Sequence, residues 1–188
     1  MSQIKVVVPL ANGFEEIEAV SIIDVLRRGE IEVIVAHLHE SFLVKGANGI
    51  TIQADTPIKE VRADSIDMIV LPGGWGGTHA LADDAHVQAL LQEMDAKNKH
   101  IGAICAAPFA LHKAGVLKHN YTCYPSVESD IRLDGYQGDS AMVVEEGNVI
   151  TSRGPATAIC FALAIVKKLK GEEKYKALKA GLLADFCA

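Results

Sequence analysis

Short runs of β-branched and aliphatic residues alternate along the chain with longer stretches whose apolar positions recur at helical spacing. Residues 4–10 predict a strand, the stretch up to Arg28 a helix, and residues 31–36 a second strand, which together open a βαβ unit. Within the helix Ala19, Ile22, Ile23 and Leu26 stand at i, i+3, i+4 and i+7, and Gly29 sits where a glycine commonly ends a helix. Met68 to Leu71 and residues 101–104 are continuous apolar runs, as strands covered on both faces require, with a helical segment at 85–97 between them. Val143 to Glu146 and residues 149–151 flank Glu146-Gly147-Asn148, a hairpin signal, and residues 158–169 and 173–183 read as helices. No repeat, low-complexity tract or linker interrupts the pattern. The expectation is one α/β domain over residues 1–188, a mostly parallel sheet between two helical layers, with ligands at the carboxyl ends of its strands.

Composition narrows the function classes. The chain is 49% hydrophobic but only 5% aromatic, which suits an aliphatic core, and its formal charge of -6 offers no broad basic surface. Nucleic acid is therefore disfavoured as principal partner. The longest apolar stretch, residues 156–166, falls far short of the ~20 residues of a spanning helix, and the N-terminus lacks a secretion signal, so a soluble protein is expected. Four cysteines without C-x-x-C spacing point to a reducing cytoplasm, with Cys160 in the core and Cys123 and Cys187 as incidental thiols.

Three segments carry candidate chemistry. Residues 101–111 run from a buried strand directly into a helix, with Cys105 at the turn, small residues at Ala103, Ala106 and Ala107, and Pro108 suited to a first helical turn. A thiol there meets the helix dipole and free amides, notably that of Ala106, which favour the thiolate and could hold an oxyanion; the plain alternative is a small buried core residue. Gly13-Phe14-Glu15-Glu16-Ile17-Glu18 opens the first helix with three carboxylates, any of which complements the dipole. Periodicity does not choose among Glu15, Glu16 and Glu18 as a buried proton carrier. The third segment, Leu71-Pro72-Gly73-Gly74-Trp75-Gly76-Gly77, reads as a glycine-rich loop whose Gly74 amide could be a second oxyanion donor. His79 breaks its G-x-G-x-x-G pattern, so nucleotide binding is disfavoured. His37 and His39 lack a third ligand and are not read as a metal site, and Arg153 is read as a loop tie ahead of anion binding.

G-F-E-E-I-E-A at 13–19, L-P-G-G at 71–74, A-I-C-A-A-P at 103–108 and S-R-G-P at 152–155 together resemble the ThiJ/PfpI superfamily, in the branch of the parkinsonism-associated deglycase. The resemblance implies a flavodoxin-like three-layer sandwich, a homodimer, no cofactor, a reactive Cys105, and Glu18 as the protonated carboxylate beside it. It also implies backbone donors at Gly74 and Ala106, and places Arg28 near the pocket, in one reading across the dimer interface. Where that branch often has histidine, Tyr124 precedes Pro125, and Asn48 replaces a frequent arginine. The function implied is a cofactor-independent glyoxalase or deglycase acting on small carbonyl compounds such as methylglyoxal. The alternatives are a redox sensor or chaperone using the same thiol, and a cysteine peptidase, which Ala106 disfavours because that branch carries histidine there.

Overall fold

The computed structural model describes residues 3–187. In chain order it forms β1 (Lys5–Leu10), α1 (Glu16–Arg28), β2 (Glu32–His37), β3 (Leu43–Lys45), β4 (Thr51–Gln53), β5 (Thr56–Pro57), β6 (Met68–Leu71), α2 (Trp75–Asp83) and α3 (Ala85–Ala96). Then follow β7 (His100–Ile104), α4 (Pro108–Lys113), α5 (Glu128–Ile131), β8 (Val143–Glu146), β9 (Val149–Ser152), α6 (Ala158–Lys170) and α7 (Glu172–Gly181).

Seven strands make one sheet in the order β5-β2-β1-β6-β7-β9-β8, in which the β8–β9 hairpin supplies the antiparallel pair. The central order β2-β1-β6-β7-β9 is the doubly wound, flavodoxin-like arrangement, reached by parallel pairing from β2 through β9. Its chain order reverses between β1 and β6, so a crevice opens above their carboxyl ends.

The strand pleat divides the core in two. Val6, Val8, Leu10, Met68 and Val70 face the layer of α1 and α6, where Ile22, Leu26, Phe161 and Leu163 are fully buried. Val7, Ile69, Leu71, Ile101 and Ala103 face the layer of α2, α3 and α4 through Leu81, Val87, Leu91 and Leu111. Each of these side chains larger than alanine, taken out of water, contributes roughly 1.5–3 kcal/mol. Among the described residues no helix is long and apolar enough to cross a membrane.

The structure ends α1 at Gly29 as expected, adds three short strands, and corrects two expectations, the extent of the glycine-rich loop and the state of Cys187. Gly29 ends α1 but is not left-handed (φ −74°); Glu30 takes that conformation (φ 59°). Gly29 is small because a Cβ there would stand 3.0 Å from Val166 Cγ2 on α6. The glycine-rich loop ends at Gly74, since Trp75 already opens α2. β3, β4 and β5, each of three residues or fewer, are too short for periodicity to reveal. Finally, Cys160 and Cys187 are joined in a disulfide, so Cys187 is not incidental. The link spans 27 positions and pins the chain end to α6, a proximity made by the fold and absent from the cysteine spacing.

Candidate active site

Cys105 follows the last residue of β7, at the carboxyl edge of the sheet, in a conformation few side chains adopt. Its φ is +63°, a strain of order 1–3 kcal/mol that the surroundings hold in place. The Cys105 N–H donates to the Ser152 carbonyl (3.0 Å), and its own carbonyl accepts from Tyr124 N–H (2.9 Å). The backbone is thus clamped from β9 and from the 121–125 segment, and the thiol stands above the sheet as in a nucleophile elbow.

The three glutamates separate by partner. Glu15 caps α1, its Oε2 accepting the Glu18 N–H at 2.8 Å. Glu16 turns to the segment before β4, accepting from Asn48 N–H (2.6 Å), Asn48 Nδ2 (3.0 Å) and Ile50 N–H (3.3 Å). Asn48 is therefore a structural tie to Glu16. Glu18 is fully buried, and its Oε2 accepts the Gly73 N–H at 2.7 Å. Glu18 Oε1 is buried without a conventional hydrogen-bond partner, and the Cys105 thiol is the polar side chain coupled to this carboxyl.

Burial pushes the Glu18 carboxyl up to about 7, against the Gly73 amide and Cys105, which both favour its charged form. Burial also raises the Cys105 thiol, as does a negative charge on Glu18, while the N–H groups of Gly74 and Ala106 stabilise the sulfur anion. This alters the picture drawn from sequence, where dipole and amides alone favoured the thiolate. The following helix α4 has only six residues, and desolvation outweighs it. Cys105 ionises easily only when Glu18 carries the proton, so the two groups share one negative charge.

The glycines make this proximity possible. A Cβ at Gly73 would lie 2.6 Å from Cys105 Cβ and 2.7 Å from Glu18 Oε2. Gly74 is left-handed (φ +89°), and a Cβ there would meet the Gly13 carbonyl oxygen at 2.4 Å. Gly73 was missed in the sequence reading, which considered only the next amide; the signal was the doublet immediately after a buried strand.

Above Cys105 lies a cavity of about 230 Å³ lined by Glu15, Gly74, Trp75, Cys105, Ala106, Tyr124, Val127 and Pro155. The structure thus brings together Cys105, Glu18, Gly74, Ala106 and Tyr124. It does not bring Arg28 to the site within one protomer. Arg28 ends α1, ten residues and about 15 Å along the helix from Glu18, and pairs with Asp24 at 2.8 Å. Arg153 does not line the cavity, and its Nε is buried without a hydrogen-bond partner. No histidine lines the cavity either, so the peptidase reading gains no base. His37 binds the His39 backbone carbonyl through Nδ1, and among the described residues no three His, Cys, Asp or Glu side chains form a metal-binding group.

Comparison with known proteins agrees with this geometry. Residues 4–168 match the DJ-1/PfpI family. The chain superposes on the crystal structure of Drosophila melanogaster DJ-1beta with a TM-score of 0.92 and 41% identity, covering 97% of this chain and 98% of that one. It is 38% identical to the glutathione-independent glyoxalase DJR-1.2 of Caenorhabditis elegans, over 87% of each chain. It is 32% identical to the glutathione-independent glyoxalase DJ-1 of Schizosaccharomyces pombe, over 95% of this chain and 98% of that protein.

Proposed function

The chain belongs to the DJ-1/PfpI family, and from that premise we propose that it is a single-domain, cofactor-independent glyoxalase that converts methylglyoxal to lactate. The observation that carries this reading is the buried Glu18–Cys105 pair, one carboxyl raised to about 7 against one thiol, with two backbone donors at the sulfur. An enzyme that moves hydrogen within its substrate needs one group to give and take a proton beside one nucleophile.

The sulfur anion of Cys105 adds to the aldehyde carbon, and the new alkoxide takes the proton from Glu18, leaving a hemithioacetal. Glu18, now ionised, removes the hydrogen from that carbon, and the electrons pass into an enediol. Return of a proton to the neighbouring carbon gives a lactoyl thioester, which water cleaves to lactate and free thiol. The aldehyde carbon is oxidised and the ketone carbon reduced, so no outside oxidant enters. The amides of Gly74 and Ala106 face the charge that develops near the sulfur. Hemithioacetal chemistry on carbonyl adducts of proteins or nucleotides, the deglycase form of the reaction, is the natural extension of the same site.

We further propose a homodimer joined through α1. Ile17 (58% exposed) and Val20 (48%) lie one turn apart on its outer face, near Ile50 (56%) of the segment that Glu16 ties down. Arg28 would then serve the partner's face of the interface. Light scattering of the wild type and Val20→Asp tests the dimer, the variant being expected to run as a monomer.

Lactate release from methylglyoxal by wild type, Cys105→Ala and Glu18→Gln tests the activity. Cys105→Ala is expected to abolish turnover and Glu18→Gln to lower kcat by about 10²–10⁴-fold. Full activity in Cys105→Ala would end the reading.

A further inference from the structure

Trp75 is the chain's single tryptophan and borders the Cys105 cavity from the first turn of α2. Its indole stacks on His79 (centroids 5.0 Å apart, interplanar angle 18°) and meets Phe109 edge-on at 6.2 Å. His79 and Phe109 are themselves in edge contact at 5.5 Å, and Phe109 packs against the core. The ring is thus braced from behind yet stays 41% exposed. Tyr124, clamped by its backbone to Cys105 and with its ring against Gly154, is 49% exposed and lines the same cavity.

The cavity lining is of two chemistries. The polar part is the Cys105 sulfur, the Gly74 and Ala106 amides and Glu15, whose carboxylate caps α1; the rest is Trp75, Tyr124, Val127 and Pro155. Its 230 Å³ equals about eight waters at ~30 Å³ each. Methylglyoxal has only a methyl group to set against the aromatic walls. A rigid ring already in place loses little freedom when a flat group packs on it.

We propose that Trp75 is a specificity-determining residue and that this chain takes aryl-substituted α-oxoaldehydes, of the phenylglyoxal class, in preference to methylglyoxal. The inference rests on the glyoxalase reading above and deepens it. The reaction balances as before: phenylglyoxal and water give mandelate, hydrogen moving from the aldehyde carbon to the ketone carbon.

Two measurements test it. In turnover, the ratio of kcat/KM for phenylglyoxal to that for methylglyoxal is compared in the wild type, Trp75→Phe and Trp75→Ala. The ratio is expected to fall about tenfold in Trp75→Ala, through KM, and by less than threefold in Trp75→Phe, as removal of an aromatic pairing predicts. Binding without turnover is read by calorimetry in the Cys105→Ala background, with the neutral ketones 2-hydroxyacetophenone and hydroxyacetone. The aryl ketone is expected to bind at least about tenfold more tightly, and adding Trp75→Ala to erase the preference. If neither aldehyde is turned over but this binding preference holds and depends on Trp75, the glyoxalase reading falls while the aromatic subsite stands. Equal binding of the two ketones, or a preference that Trp75→Ala leaves within twofold, overturns the proposal whatever the activity.

Discussion

Replacing Glu18 by Gln should make the protein more stable at alkaline pH, although it removes a buried residue of the site. The folded carboxyl sits at about 7, against an ordinary value of 4.5. Between these values the folded state holds a proton that the unfolded chain has released, so stability falls as pH rises. The contribution of the protonated carboxyl is fully present below about 4.5 and is lost by the time pH has passed 7. A separation of 2.5 units at ~1.36 kcal/mol each amounts to about 3 kcal/mol, most of it lost between pH 5 and pH 7. Gln cannot ionise, and its amide oxygen can still accept the Gly73 N–H that Glu18 Oε2 accepts at 2.7 Å. Urea unfolding at pH 5, 6.5 and 8, read by circular dichroism, should show the variant within about 1 kcal/mol of wild type at pH 5 and about 2–3 kcal/mol more stable at pH 8, with the slope unchanged. The same window should persist in a Cys105→Ala background, since burial is its leading cause. A difference that does not change with pH, or a variant less stable at pH 8, would refute the reasoning.

The shared charge also predicts a pH profile: below about 7 the Glu18–Cys105 pair holds two protons and cannot attack, so kcat/KM should rise through that value, and a flat profile from pH 5.5 to 8.5 would count against the pair. Gly73→Ala forces a Cβ within 2.6 Å of Cys105 Cβ and 3.0 Å of the Ile104 carbonyl oxygen, an overpacking worth ~1–3 kcal/mol. Thermal melting should fall accordingly, and activity should fall more than stability does. The Cys160–Cys187 link closes a loop of 27 positions, for which chain entropy gives about 3–4 kcal/mol. Cys187→Ser should lower the melting temperature by about as much as dithiothreitol lowers that of the wild type, and dithiothreitol should then do nothing further to the variant.

The central strands were legible because they are short and almost wholly apolar. Met68–Leu71 is buried on both faces at every position, and the expected strand has the observed limits. The long helices also showed their inner faces: α1 ends at Arg28 as expected, and α3, α6 and α7 lie within two residues of expectation at either end. Failures cluster where backbone contact replaces side-chain pattern. Gly76 and Gly77 read as loop because glycine disfavours helix, yet both lie in the first turn of α2. Gly77 is there because a Cβ would crowd the Phe14 backbone at 3.0 Å, an approach no local window contains. The disulfide escaped for the same reason: its halves meet only once α7 has folded back along α6.

At the site, sequence placed the thiol but could not say what governs its charge. Glu15, Glu16 and Glu18 lie within four consecutive positions, and local spacing gives each an equal claim. Glu15 finds a local partner in the Glu18 backbone, but the others are met from elsewhere, Glu16 by Asn48 and Ile50 before β4 and Glu18 by Gly73 after β6. Only the last contact is wholly buried, and there burial raises the proton affinity of Glu18, whereas at Glu16 the hydrogen bonds from Asn48 and Ile50 outweigh burial and lower it. The same desolvation raises the thiol it faces, so neither group has a fixed charge of its own. An isolated, dipole-activated thiolate would be ionised whether or not a substrate were bound, and would be the better target for oxidants. A thiol whose proton must first pass to a buried carboxyl is quieter at rest, and it is already joined to the group that the hydrogen shift requires. That coupling favours turnover of a carbonyl over sensing of oxidants, and it hangs on one oxygen of Glu18 held by the amide of Gly73.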